Sequence, residues 1–389
     1  MTISRPEYPA VLEQWWLAAA RRKLGTANNT VALRALDSDV AKLSDGFTTD
    51  RDAGFGDYAT DEKMLLAYGI FFFPQTFVRT LFVFDEIVQR CGWKAPDSHP
   101  LRIADLGAGT GSAGFALASR LAVGRDVELH AIEKSSASLG IAEEIAADNS
   151  KLWPRLKYQP RCADLLTFHE TTDEKFDIIL ASFALNESFH GKAESEFDPW
   201  IDRVAAKLAD GGLLLISEPA MKITSERLER LRDRISAAGR MAILAPCLHQ
   251  RPCPMLAKHR EDFCHEVRWW KPPASLQSLN SRLFRTIQFL KYSFVAIANC
   301  APGPGESVAE PARLVSPMMN LKGRVQCDGC AADGLIRRYE ILARKFSGGE
   351  KSDFLKTERG DVVRWENLSL LGDKQTHRAE NVARQFGFD

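Results

Sequence analysis

The chain has 389 residues, no net formal charge, and 45% hydrophobic against 26% charged residues. That balance excludes an intrinsically disordered polymer and allows one large domain with appendages, or two or three domains. No apolar run approaches the ~20 residues a membrane-crossing helix needs.

Pro6, Glu7 and Pro9 interrupt the apolar core that an export signal would require. Eight cysteines then fit metal ligands or reactive thiols in a reducing interior. That interior is a cytosol or an organelle interior, with the cytoplasm preferred because no targeting segment is seen. Charge is uneven: Arg240 to Lys345 carries 16 Lys and Arg against 8 Asp and Glu. Such a segment fits either a phosphate-rich partner or a solvated surface.

Residues 8 to 95 read as helical, with Leu12, Trp15, Trp16 and Leu17 at helical spacing before a stop at Gly25. Ser44 to Tyr58 reads as a loop, and a second helical block carries Phe71, Phe72 and Phe73 as core aromatics. From Leu101 strands and helices alternate. Strands are predicted at Leu101–Asp105, Val127–Glu133, Phe176–Phe183 and Leu213–Ser217. Helices are predicted from Phe115, over Ser136–Asn149 and over Pro199–Leu208, the last ending at Gly211 and Gly212. This order implies a parallel sheet covered by helices on both faces. A charged helix runs from Thr224 to Ala238, and Tyr292–Ala298 is a late strand of the same sheet. A Pro- and Gly-rich linker from Ala301 leads to a tail of β character. The expected division is 1–95, 96–300 with an insertion at about 240–272, and 301–389.

Asp105, Gly107, Gly109 and Gly111 form a glycine loop between the first strand and its helix, a device for bringing backbone N–H groups and a helix N-terminus against a ligand. The loop serves NAD, FAD and S-adenosylmethionine (SAM) alike. SAM is favoured because Ser112 stands where a strict G-x-G-x-x-G motif needs its last glycine. Glu133, ending the second strand, suits the ribose hydroxyls, and Asp164 falls where a third strand would deliver an acid near adenine. No general base is legible. Asn186, after the Phe176 strand, is either a substrate-amine contact or a turn former.

Cys247, Cys253, Cys264 and Cys330 suit zinc or an iron–sulfur cluster. Only Cys327-x2-Cys330 has the short spacing of a zinc knuckle, which favours a cluster without deciding the matter. Cys327 competes with Cys330 as fourth ligand. His249, His259 and His265 lie among these residues as substitute ligands or ordinary hydrogen-bonding groups, and Cys91, Cys162 and Cys300 read as small core residues. Trp269 and Trp270, with Arg268, Lys271, Arg282, Arg285 and Lys291, fit either RNA stacking and phosphate contact or sheet packing.

Residues 60 to 370 resemble the Rsm-type mitochondrial small-ribosomal-subunit family, methyltransferase-like proteins with bacterial members. The carriers are Asp105-Leu-Gly-Ala-Gly-Thr-Gly-Ser-Ala, Ala245-Pro-Cys-Leu-His-Gln-Arg-Pro-Cys-Pro, Phe263-Cys-His, and Lys322-Gly-Arg-Val with Cys330-Ala-Ala-Asp-Gly and Arg359-Gly-Asp361. Leu248 departs from the proline expected there. The resemblance implies an α/β, Rossmann-like class I SAM-methyltransferase sheet with a helical N-terminal region and a small β-rich C-terminal extension. It further implies a [4Fe–4S] cluster on Cys247, Cys253, Cys264 and Cys330, and action on the small ribosomal subunit through its rRNA, as a monomer and without a membrane. The alternative is a non-catalytic rRNA-binding scaffold with structural zinc or an iron–sulfur site. A radical SAM enzyme is disfavoured, since no C-x3-C-x2-C run occurs.

Overall fold

The computed structural model describes residues 2–48, 59, 61–97, 100–256, 262–303, 311–373 and 375–389. A short strand, β1 (Thr2–Ile3), precedes five helices: α1 (Ala10–Leu24), α2 (Asn29–Ala35), α3 (Asp37–Thr48), α4 (Glu62–Phe71) and α5 (Phe73–Gln89). α1 follows Pro9, carries three cations in its last turn, where the helix dipole favours them, and ends at Gly25 as the sequence predicts. Asn28 and Asp61 cap α2 and α4 by accepting backbone N–H groups. The loop expected from Ser44 starts too early. Ser44–Thr48 continue α3, because Val40, Leu43 and Ser44 all bury against neighbouring helices and packing overrides the local Ser/Asp/Gly preference. Residues 49–58 of that loop lie outside the described residues. Phe71 and Phe73 are core residues, while Phe72 is half-buried beside Tyr68.

The chain then runs β2 (Leu101–Leu106), α6 (Ser112–Leu121), β3 (Val127–Glu133), α7 (Ser136–Asp148), β4 (Leu156–Cys162), β5 (Phe176–Ser182), α8 (Leu185–Ser188), α9 (Glu194–Ala205), β6 (Leu208–Pro219), α10 (Lys222–Ala238), β7 (Ala242–Ala245), β8 (Glu266–Trp269), α11 (Ala274–Arg282) and β9 (Phe289–Ala298). These strands form one sheet in the order β4-β3-β2-β5-β6-β9-β7, with β8 added beside β9. β2 to β6 are parallel and β9 is antiparallel to β6, β7 and β8. The order reverses between β2 and β5, the switch point where open α/β sheets bind ligands at their carboxyl ends. Several expected boundaries move: α6 starts at Ser112 and not Phe115, α9 is Glu194–Ala205 and not Pro199–Leu208, and β9 starts at Phe289 and not Tyr292. Leu208 opens β6 instead of closing a helix, and Gly211 and Gly212 lie within the strand, where Gly211 at φ 71° accommodates a register shift against β5.

The remaining elements are β10 (Ala312–Leu314), β11 (Met319–Leu321), β12 (Arg324–Ala331), β13 (Ile336–Leu342), α12 (Glu350–Phe354), β14 (Val362–Glu366), β15 (Ser369–Leu370), β16 (Thr376–Ala379) and β17 (Asn381–Phe388). They build a second sheet in the order β1-β17-β14-β10-β12-β13-β16-β15, with β11 on β12. The first residues of the chain therefore pair with the last, Thr2 opposite Gly387 and Ile3 opposite Phe388.

A buried ionic network joins the two sheets. Arg313 on β10 donates to Glu86 on α5 at 2.7 and 3.0 Å and to Glu266 on β8 at 2.8 and 3.1 Å. Arg268 bonds Glu266 at 2.8 Å and also Asp361, just before β14. All five side chains are essentially inaccessible to water. Burial raises the cost of ionising Glu86, but Arg313 and Arg90 outweigh it and hold its carboxyl below the usual range.

Candidate cofactor cleft and cysteine site

At the carboxyl end of β2, Gly107 and Ala108 donate to Ile132 O at 2.8 and 3.1 Å, folding the glycine loop over β3. Gly107 has φ 74°, and a Cβ there would stand 2.5 Å from Ala184 Cβ, so the loop touches the turn after β5. Gly109, at φ 54°, faces open space. Asp105 Oδ2 accepts from Gly114 N at 2.9 Å, tying the first turn of α6 to β2. Burial pushes this carboxyl up to about 7. Glu133 accepts from Gly109 N at 3.0 Å and Ser135 N at 2.9 Å. Asp164 is exposed and accepts from Leu166 N at 2.9 Å, capping the turn after β4. The acids and glycines singled out in the sequence thus lie on one rim, delivered by successive strands. Among the described residues the buried oxygens Thr110 Oγ1, Tyr158 Oη and Ser182 Oγ have no hydrogen-bond partner, which fits a polar ligand completing the loop.

Residues beyond the sequence motifs complete the cleft. Tyr68 on α4 has its hydroxyl pKa raised first by burial and then by Glu187 and Glu133, so the helical N-terminal region stands over the rim. Arg79 on α5 lies over the Phe183 ring, 4.8 Å from its centroid. Phe183 holds φ 59° without being glycine, a strained conformation at the turn following β5. Glu218, ending β6, accepts from Leu185 N at 3.1 Å and Asn186 N at 3.2 Å, and burial pushes its carboxyl up to about 8. The Asn186 amide, oriented to satisfy both ends, donates to Phe183 O at 2.9 Å and Glu218 Oε2 at 3.1 Å. Its hydrogen bonds go to the turn. No periodic signal announced Glu218, because its role depends on α8 folding back onto β6.

Around the cysteines, α10 supplies one working face. Ser225, Glu229, Arg232, Asp233 and Ser236 recur at three- and four-residue spacing, a legible signal in a helix that reads at first as merely charged. Glu229 accepts from Cys264 N at 2.7 Å and Asp233 from Cys253 N at 2.8 and 3.0 Å. Buried Arg232 donates to His249 O at 2.9 Å and also to Arg251 O. Ser293 donates to Cys264 O at 2.9 Å.

A narrow cleft of about 20 Å³ is lined by Cys247, Cys253, Cys264, Glu229, Arg232 and Ser293 among others. Cys330, on β12, is not part of that lining but lies near enough for Cys247 and Cys264 to act on its thiol, with His249 Nε2 3.4 Å from its Sγ. Burial raises the Cys253, Cys264 and Cys330 thiols, and neighbouring cysteines raise them further: Cys247 acts on all three, Cys253 on Cys264, and Cys264 on Cys330. Burial lowers His249 to about 4, so its ring is neutral. His265 Nδ1 pairs with Phe263 O at 3.0 Å, and His259 lies outside the described residues.

The pleat of β12 separates the two competing thiols. Cys327 points with Val325 and Ala331 into the second sheet's core, while Cys330 lies on the opposite face. Arg359 holds the Cys264 loop by donating to Phe263 O at 2.7 Å and His265 O at 3.0 Å. Beside it Gly360 leaves room for Glu266, into which any Cβ would collide. Among the described residues, no three His, Cys, Asp or Glu side chains stand close enough to hold one metal ion. A single zinc draws its sulfurs to about 3.8 Å of one another. Four thiols beside the buried Arg232 are donor types that either zinc or an iron–sulfur cluster takes. Of the remaining cysteines, Cys91 packs against the main core as expected, and the other two differ from expectation. Cys162 and Cys300 are exposed, at the end of edge strand β4 and just past β9, and half-buried Cys91 donates to Leu244 O at 3.1 Å.

The strand order, with its single antiparallel strand next to last, defines a class I methyltransferase-like fold. A family model described as mitochondrial small ribosomal subunit Rsm22 matches residues 62–365, well over half the chain, and the chain belongs to that family. The human (Homo sapiens) ribosome assembly protein METTL17, mitochondrial, is 23% identical over 264 residues, covering 64% of this chain and 52% of that protein. The chain thus spans about half the length of this relative. Among solved structures, magnesium protoporphyrin IX methyltransferase from Synechocystis PCC 6803 with bound SAM is 12% identical with a TM-score of 0.34, covering 67% of this chain and 97% of that one. An rRNA methylase from Streptococcus thermophilus is 12% identical with a TM-score of 0.29, covering 52% and 87%. At those scores the strand order, not the match, carries the fold. Both the family and the human relative are described as mitochondrial, so the preference for a cytoplasmic location finds no support.

Proposed function

We propose that the chain is a methyltransferase-like assembly factor of the small ribosomal subunit, binding SAM at the glycine loop and carrying a structural [4Fe–4S] cluster. The observation that carries this reading is that Cys247, Cys253 and Cys264 line one cleft, with Cys330 from the distant tail near enough for two of them to act on its thiol, in a chain of the Rsm22 family. These four thiols would hold the cluster, whose iron would keep them as thiolates despite burial. Its work is to tie the loops after β7 to the second sheet. SAM, when bound, supplies an electrophilic methyl group. Gly107, Gly109 and Gly111 admit it, Asp105 fixes α6, and Glu133 and Asp164 face its ribose and adenine. The partner is rRNA of the small subunit, met by a monomer in the mitochondrion. The division into 1–95, 96–300 and 301–389 belongs to the same reading, the helices covering the cleft and the tail supplying Cys330.

A second reading, a non-catalytic scaffold, has its own support. Asn186 gives its amide N–H groups to Phe183 O and Glu218, and Glu133 already accepts from two backbone N–H groups of its own loop. Anaerobic purification with iron and sulfide analysis, run beside SAM calorimetry and crosslinking to ribosomal RNA, tests these together. About four iron and four sulfide per chain, with SAM binding and small-subunit crosslinks, supports the first reading. A colourless zinc protein rejects the cluster, and crosslinks without SAM binding favour the scaffold.

A further inference from the structure

The two adjacent tryptophans face opposite ways. Pairing of β8 with β9 sets Trp269 opposite Phe289, Arg268 opposite Leu290, Val267 opposite Lys291 and Glu266 opposite Tyr292. Opposed residues share a face. Arg268, Leu290, Glu266 and Tyr292 are all buried, and Trp270 is 1% exposed. On the other face Trp269 is 40% exposed, Phe289 is 50% exposed and Lys291 projects into solvent. Lys271 is exposed just beyond Trp269, and neither lysine forms an ion pair among the described residues. Arg5 lies 5.5 Å over the Trp269 ring, its charge matched by Glu358 at 2.8 Å.

The strand edge beside this face is closed. Val267 N donates to Arg359 O, Trp269 N donates to Glu358 at 2.8 Å, and Trp269 O accepts from Arg5 at 2.9 Å. A partner strand adding to this edge finds these backbone groups taken. What stays exposed is a pair of aromatic side chains, opposite one another across β8 and β9, with Lys271 and Lys291 beside them and unpaired among the described residues. Its position matters too. Tyr292 pairs with Pro219 at the carboxyl end of β6, so the β8–β9 ribbon projects past the sheet edge that carries the glycine loop.

We propose that the Trp269–Phe289 face is a stacking platform for single-stranded RNA beside the cofactor cleft, with Lys271 and Lys291 contacting its phosphates. The inference rests on the RNA-associated reading above and deepens it by naming the surface. Exposed aromatics on a sheet accept unstacked bases, and the flanking cations take the backbone; a duplex, whose bases are already stacked, gains only the charge.

The test is fluorescence anisotropy of the full-length protein, purified anaerobically, with a labelled mixed-sequence 12-nucleotide RNA and a duplex of the same sequence. Trp269→Ala and Phe289→Ala should each weaken single-strand binding about 5- to 150-fold. Trp269→Phe should retain most of it, and Lys291→Glu should weaken binding and flatten its salt dependence. Unchanged melting of the Ala variants would confirm that these exposed positions do not support the fold. Wild-type-like affinity in both Ala variants, or equal affinity for single strand and duplex, overturns the platform while leaving RNA association standing. A wild-type protein that binds no RNA, or binds only anionic phospholipid vesicles, overturns the RNA reading as well.

Discussion

Replacing Arg313 with Met breaks the ionic junction at its centre. Arg313 makes four hydrogen bonds to two carboxylates, and all three groups are buried. Met keeps most of the volume but leaves Glu86 with Arg90 alone at 2.8 Å and Glu266 with Arg268 alone at 2.8 Å. Removing one partner of a buried pair destabilises by about 3–5 kcal/mol, and the surviving partners argue for the lower half of that range. For a chain of this size each kcal/mol lowers Tm by roughly 2 °C, so Arg313→Met should melt about 6–8 °C below wild type. Urea unfolding followed by far-UV dichroism and tryptophan fluorescence is the assay. Trp365, in the second sheet's core, reports loosening of that sheet. Pairing Arg313→Met with Glu86→Leu removes one stranded carboxylate and should recover part of the loss. A single variant within 1 kcal/mol of wild type would refute the claim that this network fastens the sheets.

Other outcomes follow from single positions. Glu218, pushed up to about 8 by burial, favours the fold when protonated. Its contribution is therefore complete below the ordinary carboxylate range and declines as pH rises through about 8, by roughly 3–5 kcal/mol in all. Urea midpoints at pH 5 and pH 8 should show that decline in wild type and a flatter profile in Glu218→Gln. Gly109 has φ 54° and no atom near a built Cβ. Gly109→Asn, which tolerates that conformation, should leave melting unchanged while abolishing SAM binding by calorimetry. Gly107→Ala should lower stability itself, since its Cβ meets Ala184 at 2.5 Å. Cys330→Ser should lower bound iron sharply, whereas Cys327→Ser should keep it and lose about 1–3 kcal/mol of stability by burying a hydroxyl in the second sheet's core.

What the sequence made legible was local. The stop at Gly25, the strand entering the glycine loop and the acid ending the next strand are written in short-range patterns, and the fold puts each where those patterns place it. The misplaced pieces depend on distant partners. α3 runs on to Thr48 because Val40 and Leu43 find a core, and Gly211 sits inside β6 because a bulge against β5 accommodates it. Two neighbouring tryptophans look alike until β9 pairs with β8 and turns one inward. The same holds for Cys327 and Cys330, three residues apart on a strand and thus on opposite faces. Glu218, Arg79 and Tyr68 acquire meaning only when α8, α5 and α4 close around the cleft, and no spacing rule encodes that. The pairing of β1 with β17 spans the whole chain.

Anomalous diffraction from crystals grown without oxygen, with data on both sides of the iron absorption edge, locates the metal directly. The account predicts strong iron density in the cleft bounded by Cys247, Cys253, Cys264 and Cys330, continuous with all four sulfurs. A zinc-edge peak there, or iron bound elsewhere with these sulfurs uncoordinated, would contradict it.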